Sequence, residues 1–332
     1  MSIICYHILM KKNQNFSSVK ALLILLLLGF VWGSGYSIAR YATTHGVSPL
    51  GYSFWQSLGP SILLTILGCR LKNVRESLKL KFLPFFLLCG LLGIAIPNSN
   101  MYYTAAHLPT GMLAVLVNTV PLFVYPIACC FKQESFSKER VLGLLLGFIG
   151  LIYLIFPFHS LSQFSDVISM NQINKWAWLT LLSPFCFALC AIYISHARPA
   201  SVGIYTASIG MLTTSTFFLL PFVWFHHDFY SLLGPLDGPK LAVILEIILS
   251  SIGYLLFFYL IKYAGSVYYS LTGSVVSLTG VFWGYLAFGE TLSYAQIIAV
   301  LIIMSAILII SYSYSPHYSH TKKRSQNVRP SR

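Results

Sequence analysis

The chain reads as an all-α protein, a polytopic membrane helical bundle of ten transmembrane helices arranged as two inverted five-helix repeats. Three observations predict this. Of the 332 residues, 57% are hydrophobic and only 9% are charged, whereas a soluble domain carries roughly 25% charged residues. Apolar runs such as Ala21–Leu28 recur along the whole length, and in lipid only helices and closed barrels satisfy every backbone polar group. The runs are continuously apolar, where a barrel strand would alternate over about ten residues, so helices are selected.

A membrane-crossing helix needs about 20 mainly apolar residues. On that criterion the spans fall at 20–41, 49–69, 82–103, 110–131, 140–157, 176–196, 203–225, 241–262, 267–288 and 293–313. Most connections are short, which makes neighbouring spans antiparallel; 158–175 and 226–240 are longer, but neither could form a domain. The chain therefore divides into an N-terminal cytoplasmic segment 1–19, a first repeat 20–157, an external loop 158–175, a second repeat 176–313 and a basic cytoplasmic tail 314–332. Met1–Met10 is too short to span, no signal-peptide cleavage site precedes the first span, and Met10-Lys11-Lys12 resembles an ordinary protein start, so translation could begin at either methionine.

A net charge of +13 would suit a nucleic-acid binder, but the positions of the charges exclude that partner. They lie in short segments between apolar runs and in the tail Lys322-Lys323-Arg324. With the N-terminus inside, eighteen of the twenty-one Lys and Arg fall on the cytoplasmic side, and only Arg40, Lys175 and Lys240 fall outside. That bias places both termini in the cytoplasm for an even number of spans. The seven cysteines lie mostly in apolar runs without CxxC spacing. They indicate neither zinc nor a disulfide framework, and no cofactor is called for.

A search for internal repeats finds one at an offset of 156 residues, which puts Tyr103 on Tyr259, Leu122 on Leu278, Glu134 on Glu290 and Ser137 on Ser293. Each half has an odd number of spans and so faces the opposite way from its partner. Inverted repeats of this kind let two halves exchange conformations and expose a central site to each side in turn.

Trp32-Gly33-Ser34, Tyr103-Thr104-Ala105-Ala106, Pro121-Leu122, Glu134 with the glycine-rich span from Gly143, and Gly289-Glu290-Thr291-Leu292-Ser293 together resemble the EamA group of the drug/metabolite transporter superfamily. The resemblance runs from about Ala21 to Ser311. It implies a ten-span secondary transporter of the bacterial inner membrane, an exporter or exchanger of small metabolites such as amino acids. Its partners would be a small-molecule substrate and membrane lipid, with a homodimer left open. The motif residues carried over are Gly33, Pro121, Glu134 and Glu290. Two departures stand out: family members often carry an arginine in the second span, where this chain reads Phe54-Trp55-Gln56, and the second-half proline is replaced around Ser277-Leu278.

Gly29 and Gly33, then Gly143, Gly147 and Gly150, form small-residue faces for close helix packing. Glu134 and Glu290 each precede a hydroxyl residue at a span end, which reads as a cap of the following helix. Asn98, Asn100 and Asn118 are polar groups in apolar spans, with Trp32, Tyr102 and Tyr103 nearby. They are either interhelical hydrogen-bonding groups or the lining of a midplane cavity.

Glu246 lies six residues beyond Lys240, about 9 Å along a helix and roughly a third of the way into a core about 30 Å thick. A charge there costs on the order of 2.5–3.5 kcal/mol. Either it reaches the interface, or it faces the cavity and holds a cationic amine or takes a proton during a cycle. The candidate path residues are thus Trp32, Asn98, Tyr103, Asn118 and Glu246.

His226-His227-Asp228 reads as a solvated loop, since a metal needs three or four converging groups. Arg198 and Lys262 read as snorkelling cations. No Ser/His/Asp spacing, phosphate-cradling loop or ATPase motif is present. The competing class, a membrane-embedded enzyme acting on lipid-linked substrates, needs acidic or histidine residues gathered at one interface, and here they are scattered.

Overall fold

A computed structural model describes residues 18–68, 80–130, 137–155, 175–197, 199, 201–269 and 272–312. Glu134, Arg198, most of the 158–175 loop, the segment before Ser18 and the basic tail lie outside the described residues. Among the described residues every regular element is helical. We number them α1 (Ser18–Thr44), α2 (Pro49–Gly68), α3 (Leu83–Ala105), α4 (Thr110–Cys130), α5 (Lys138–Ile155), α6 (Leu182–Ala197), α7 (Ile204–Phe225), α8 (Gly238–Tyr269), α9 (Thr272–Phe288) and α10 (Tyr294–Tyr312).

Six stretches are long and apolar enough to cross a membrane, among them Lys20–Thr44, Leu83–Ala105, Thr110–Cys130 and Gly238–Phe257. Val141–Leu154, Thr272–Phe288 and Tyr294–Ile309 are shorter apolar helices. Helix α2 has the length of a span but buries a polar face of Ser53, Gln56, Ser57 and Ser61. The bundle is apolar on the outside: Leu22, Leu23, Leu26, Ile66, Leu67, Leu145 and Ile149 are exposed, as expected where the solvent is lipid.

Two helices are interrupted, and each interruption has an identifiable cause. Helix α3 carries a π-turn at Leu91–Ala95, one residue before Pro97. Proline donates no backbone hydrogen bond and crowds the preceding turn; the extra residue of the π-turn re-phases the helix by about 100°. The segment beyond it turns Asn98, Met101 and Tyr102 inward. Helix α4 breaks at Asn118–Thr119 and restarts at Val120, again at a proline, Pro121.

The principal packing partners are α5 with α10, α1 with α9, α1 with α8, α2 with α7, α4 with α9, α4 with α6, α3 with α7, α2 with α8 and α3 with α6. Exchanging each helix with the one five places further along returns the same set. Small residues allow the closest of these approaches. A side chain at Gly33 would strike the Thr279 hydroxyl and the Gly280 backbone on α9, and one at Gly147 would strike Leu122. Thr279 donates to the Gly29 carbonyl at 2.6 Å, closing the α1–α9 seam.

Candidate functional site

Helix α8 places Glu246, Ser250 and Tyr254 four residues apart, on one stripe of its surface. That stripe faces the polar side of α2 and the re-phased half of α3. A one-way chain of donors results. Asn98 donates to Gln56 Oε1 at 3.0 Å, Gln56 to the Ser250 hydroxyl at 3.5 Å, and Ser250 to Glu246 Oε1 at 2.7 Å.

Glu246 is 6% exposed and Tyr52 only 1%, and Gln56, Asn98 and Tyr102 are also buried. The second carboxylate oxygen, Oε2, accepts no hydrogen bond, and the Tyr52 hydroxyl likewise makes none. The two groups are close neighbours and act on each other as a hydrogen-bonding pair, although the bond is not completed in the geometry seen. On the other side of Oε2 stands α1, where a side chain at Gly35 would come within 3.3 Å of it. Aromatic rings pack beside the centre: Tyr52 meets Tyr102 edge-on at 4.7 Å, and Tyr102 lies within electrostatic reach of Tyr254 and Tyr36. Buried polar atoms short of a full set of hydrogen bonds are costly, and two of them side by side make this centre the candidate ligand site.

The sequence candidates are distributed unevenly around this centre. Asn98 and Glu246 belong to it. Trp32, on α1, lies against Gly253 and within ring contact of Tyr254 (6.3 Å) and Phe257 (5.8 Å), lining the same α1–α8 seam. Asn118, at the α4 break, donates to the Tyr36 hydroxyl at 3.1 Å and to the Ala114 carbonyl at 2.8 Å. It extends the polar surface towards α9, where Gly273 faces its side-chain oxygen.

Tyr103 is placed apart. It is 49% exposed and packs edge-on to Trp176 and His107, while its neighbour Tyr102 takes the inward position. The helical phase set by the π-turn decides between the two. Asn100 is also turned away from the centre and ties α3 to α6 through the Leu179 carbonyl and Ser183, both at 2.9 Å. Sequence reasoning passed over Tyr52, Gln56, Ser250 and Tyr254 as site residues. The signal that finds them is the four-residue spacing of polar groups in Tyr52/Gln56 and in Glu246/Ser250/Tyr254.

Glu290 corrects an expectation. It does not cap the helix that follows it, because Ser293 and Gln296 cap α10 reciprocally at 2.9 and 3.3 Å. Gly289, at φ +64°, turns the chain, and Glu290 reaches across to the start of α4. There it accepts from the Thr110 N–H (3.0 Å), the Gly111 N–H (3.3 Å) and the Thr110 hydroxyl (3.4 Å), and it pairs with Arg40 of α1. Arg40 also lies over the Phe288 ring at 4.7 Å. One carboxylate thus joins α1, α4 and the α9–α10 turn at a single end of the bundle.

Pro121 sits at the α4 break and Gly33 in the α1–α9 seam. The His226–Asp228 loop packs by its backbone, with Ser48 donating to the Asp228 carbonyl at 3.0 Å. Among the described residues no three His, Cys, Asp or Glu side chains come together as a metal site.

The chain matches the model described as the EamA-like transporter family over residues 19–156 and 174–312. It is 20% identical over 298 residues to the "Uncharacterized transporter YvbV" of Bacillus subtilis, covering 90% of this chain and 93% of that protein. It is 27% identical over 297 residues to the "Uncharacterized inner membrane transporter YedA" of Escherichia coli K12, covering 86% and 89%. A solved crystal structure 16% identical in sequence shares the fold with a TM-score of 0.57, over 88% of this chain and 98% of that one.

Proposed function

The chain belongs to the EamA-like transporter family, and from that premise we propose that it is a secondary transporter, an exporter or exchanger that moves small metabolites, such as amino acids or related compounds, across a bacterial inner membrane by alternating access. The observation that carries this reading is the buried polar centre at Glu246. It lies where α1, α2 and α3 meet α8, with a carboxylate oxygen and a phenol side by side and remote from water. A carrier needs such a site near the midplane, between two halves that can exchange conformations.

In this reading the halves are α1–α5 and α6–α10, each with five spans and of opposite orientation. The 156-residue offset supports this division, as does packing that is unchanged when each helix is exchanged with the one five places on. Both termini are cytoplasmic, on the strength of the cation bias. The Arg40–Glu290–Thr110 junction then lies on the outer side and joins the first half to the second. With that junction made and Glu246 buried, the centre is closed to the outside, and opening requires Glu290 to release α4.

The test is purified protein in liposomes, given a panel of metabolites with a proton or sodium gradient and no nucleotide. Saturable gradient-driven flux of one class, lost in Glu246→Gln with the protein still folded, is expected. Flux that requires ATP, or none for any metabolite beside a control carrier that works, would refute the proposal.

A further inference from the structure

We propose that the Glu246 centre takes a substrate carrying a protonated amine and no carboxylate, with the ammonium group seated on Glu246 Oε2. The inference rests on the transport reading above and, among the small metabolites it allows, selects amines in place of the amino acids given there as an example.

The charge inventory comes first. Within the described residues the polar groups acting directly on the Glu246 carboxylate are Ser250 and Tyr52, with no lysine or arginine among them. Arg40 on α1 and Lys240 on α8 are committed elsewhere: Arg40 to Glu290, and Lys240 to Asp237 at 3.7 Å and the Pro235 carbonyl at 2.8 Å. The site therefore offers a negative group and nothing positive to receive a substrate carboxylate. An acid or a zwitterion would leave its own carboxylate buried and unpaired, at a cost that a buried charge meets only when it is paired.

Donor and acceptor geometry points the same way. An ammonium group has three donors and no acceptor. The acceptors of the centre are Oε2, with the Tyr52 hydroxyl beside it, and Gln56 Oε1, which already receives one hydrogen bond from Asn98 and has a second lone pair. The donor chain from Asn98 through Gln56 and Ser250 ends on Oε1, which fixes the carboxylate and leaves Oε2 with the Tyr52 hydroxyl as its neighbour. Tyr52 and Tyr102 meet edge-on beside the position, and a cation that reaches an aromatic face gains further attraction. The α1–α8 seam beside the centre carries the rings of Trp32, Tyr254 and Phe257, an apolar neighbour for the rest of the substrate once the helices part. An aryl or alkyl amine fits that combination.

Three probes that share a ring and differ in charge test this: phenethylamine, phenylalanine and 3-phenylpropionate. Binding to the purified chain is followed by tryptophan fluorescence, and transport by counterflow in liposomes. Phenethylamine should bind best. Glu246→Gln should weaken it by about tenfold or more, the scale of one hydrogen bond to a charged group. Tyr52→Phe, which loses only a hydroxyl, should weaken it less, and it serves as the second probe should Glu246→Gln fail to fold.

Preference for phenylalanine or phenylpropionate, no phenethylamine binding, or phenethylamine binding indifferent to both substitutions would overturn the inference. The two readings fail separately. Phenethylamine bound through Glu246 but not moved would sink transport and keep the site; flux of the zwitterion untouched by Glu246→Gln would keep transport and sink the amine assignment.

Discussion

Replacing Glu290 with alanine removes four interactions at once, and their sizes can be worked from the geometry. The carboxylate holds two otherwise unpaired N–H groups at the start of α4, at 3.0 and 3.3 Å, and the loss of such a cap costs about 1 kcal/mol. Its charge beside a helix N-terminus adds about 0.3–1 kcal/mol. The pair with Arg40 has side chains 26% and 15% exposed and adds about 0–1 kcal/mol after solvent screening. Glu290→Ala should therefore destabilise the protein by roughly 2 kcal/mol. Glu290→Gln keeps an acceptor for α4 and should cost about half of that, because only the charge terms are lost.

Thermal unfolding in detergent measures both variants. A double-mutant cycle with Arg40→Met should return a coupling of a few tenths to about 1 kcal/mol. Wild-type stability in Glu290→Ala, or additive effects in the cycle, would show that the junction does not hold α1, α4 and α9 together.

A methyl group at Gly253 meets the Trp32 indole, and one at Gly33 meets Thr279 and the Gly280 backbone. Gly33→Ala should cost about 1–3 kcal/mol as an overpacking change, with Gly253→Ala milder because the indole can move; unfolding midpoints decide. Asn118→Ala should lower stability by only about 0.6 kcal/mol, the average for a hydrogen bond inside such bundles, and a larger loss would assign the Tyr36 contact a heavier structural role. Tyr103→Ala should leave flux unchanged while Asn98→Ala impairs it, since one side chain faces outward and the other holds Gln56; the reverse order would move the path to the α3–α6 side.

His107, stacked on Trp176 at 3.9 Å, has its imidazole pushed below its ordinary value by burial. The unfolded chain then holds the extra proton more readily, so stability rises with pH through the window below the ordinary histidine value of about 6.5. A melting series against pH should show this slope, small because the ring is partly exposed, and His107→Gln should remove it.

The helices were legible because lipid leaves the backbone so few alternatives: apolar runs of the right length had to be helical, and nine of the ten expected spans correspond to apolar helices in the structure. Helix α2 was legible by length, though its apolar character is diluted by Ser53, Gln56, Ser57 and Ser61, the residues that build one wall of the centre. The break in α4 could be read from Pro121, but the π-turn in α3 could not, and that single extra residue decides whether Tyr102 or Tyr103 faces inward. Glu246 stood out as an acid inside a span. Its partners were hidden because each is an unremarkable polar residue until the four-residue spacing on two different helices is combined. The target of Glu290 was invisible for a different reason: it caps a helix 180 residues away in sequence, and local capping rules see only the next turn.

The central claim is that the buried centre is opened to each side of the membrane in turn. The direct measurement is thiol accessibility at Gln56, which lies at its heart and is 6% exposed. With the seven native cysteines replaced, Gln56→Cys in sealed vesicles of either orientation is treated with a membrane-impermeant maleimide, with and without a transported substrate. The account predicts slow labelling from both sides and protection by substrate. Labelling from one side only under every condition, or none from either side while flux persists, would contradict it.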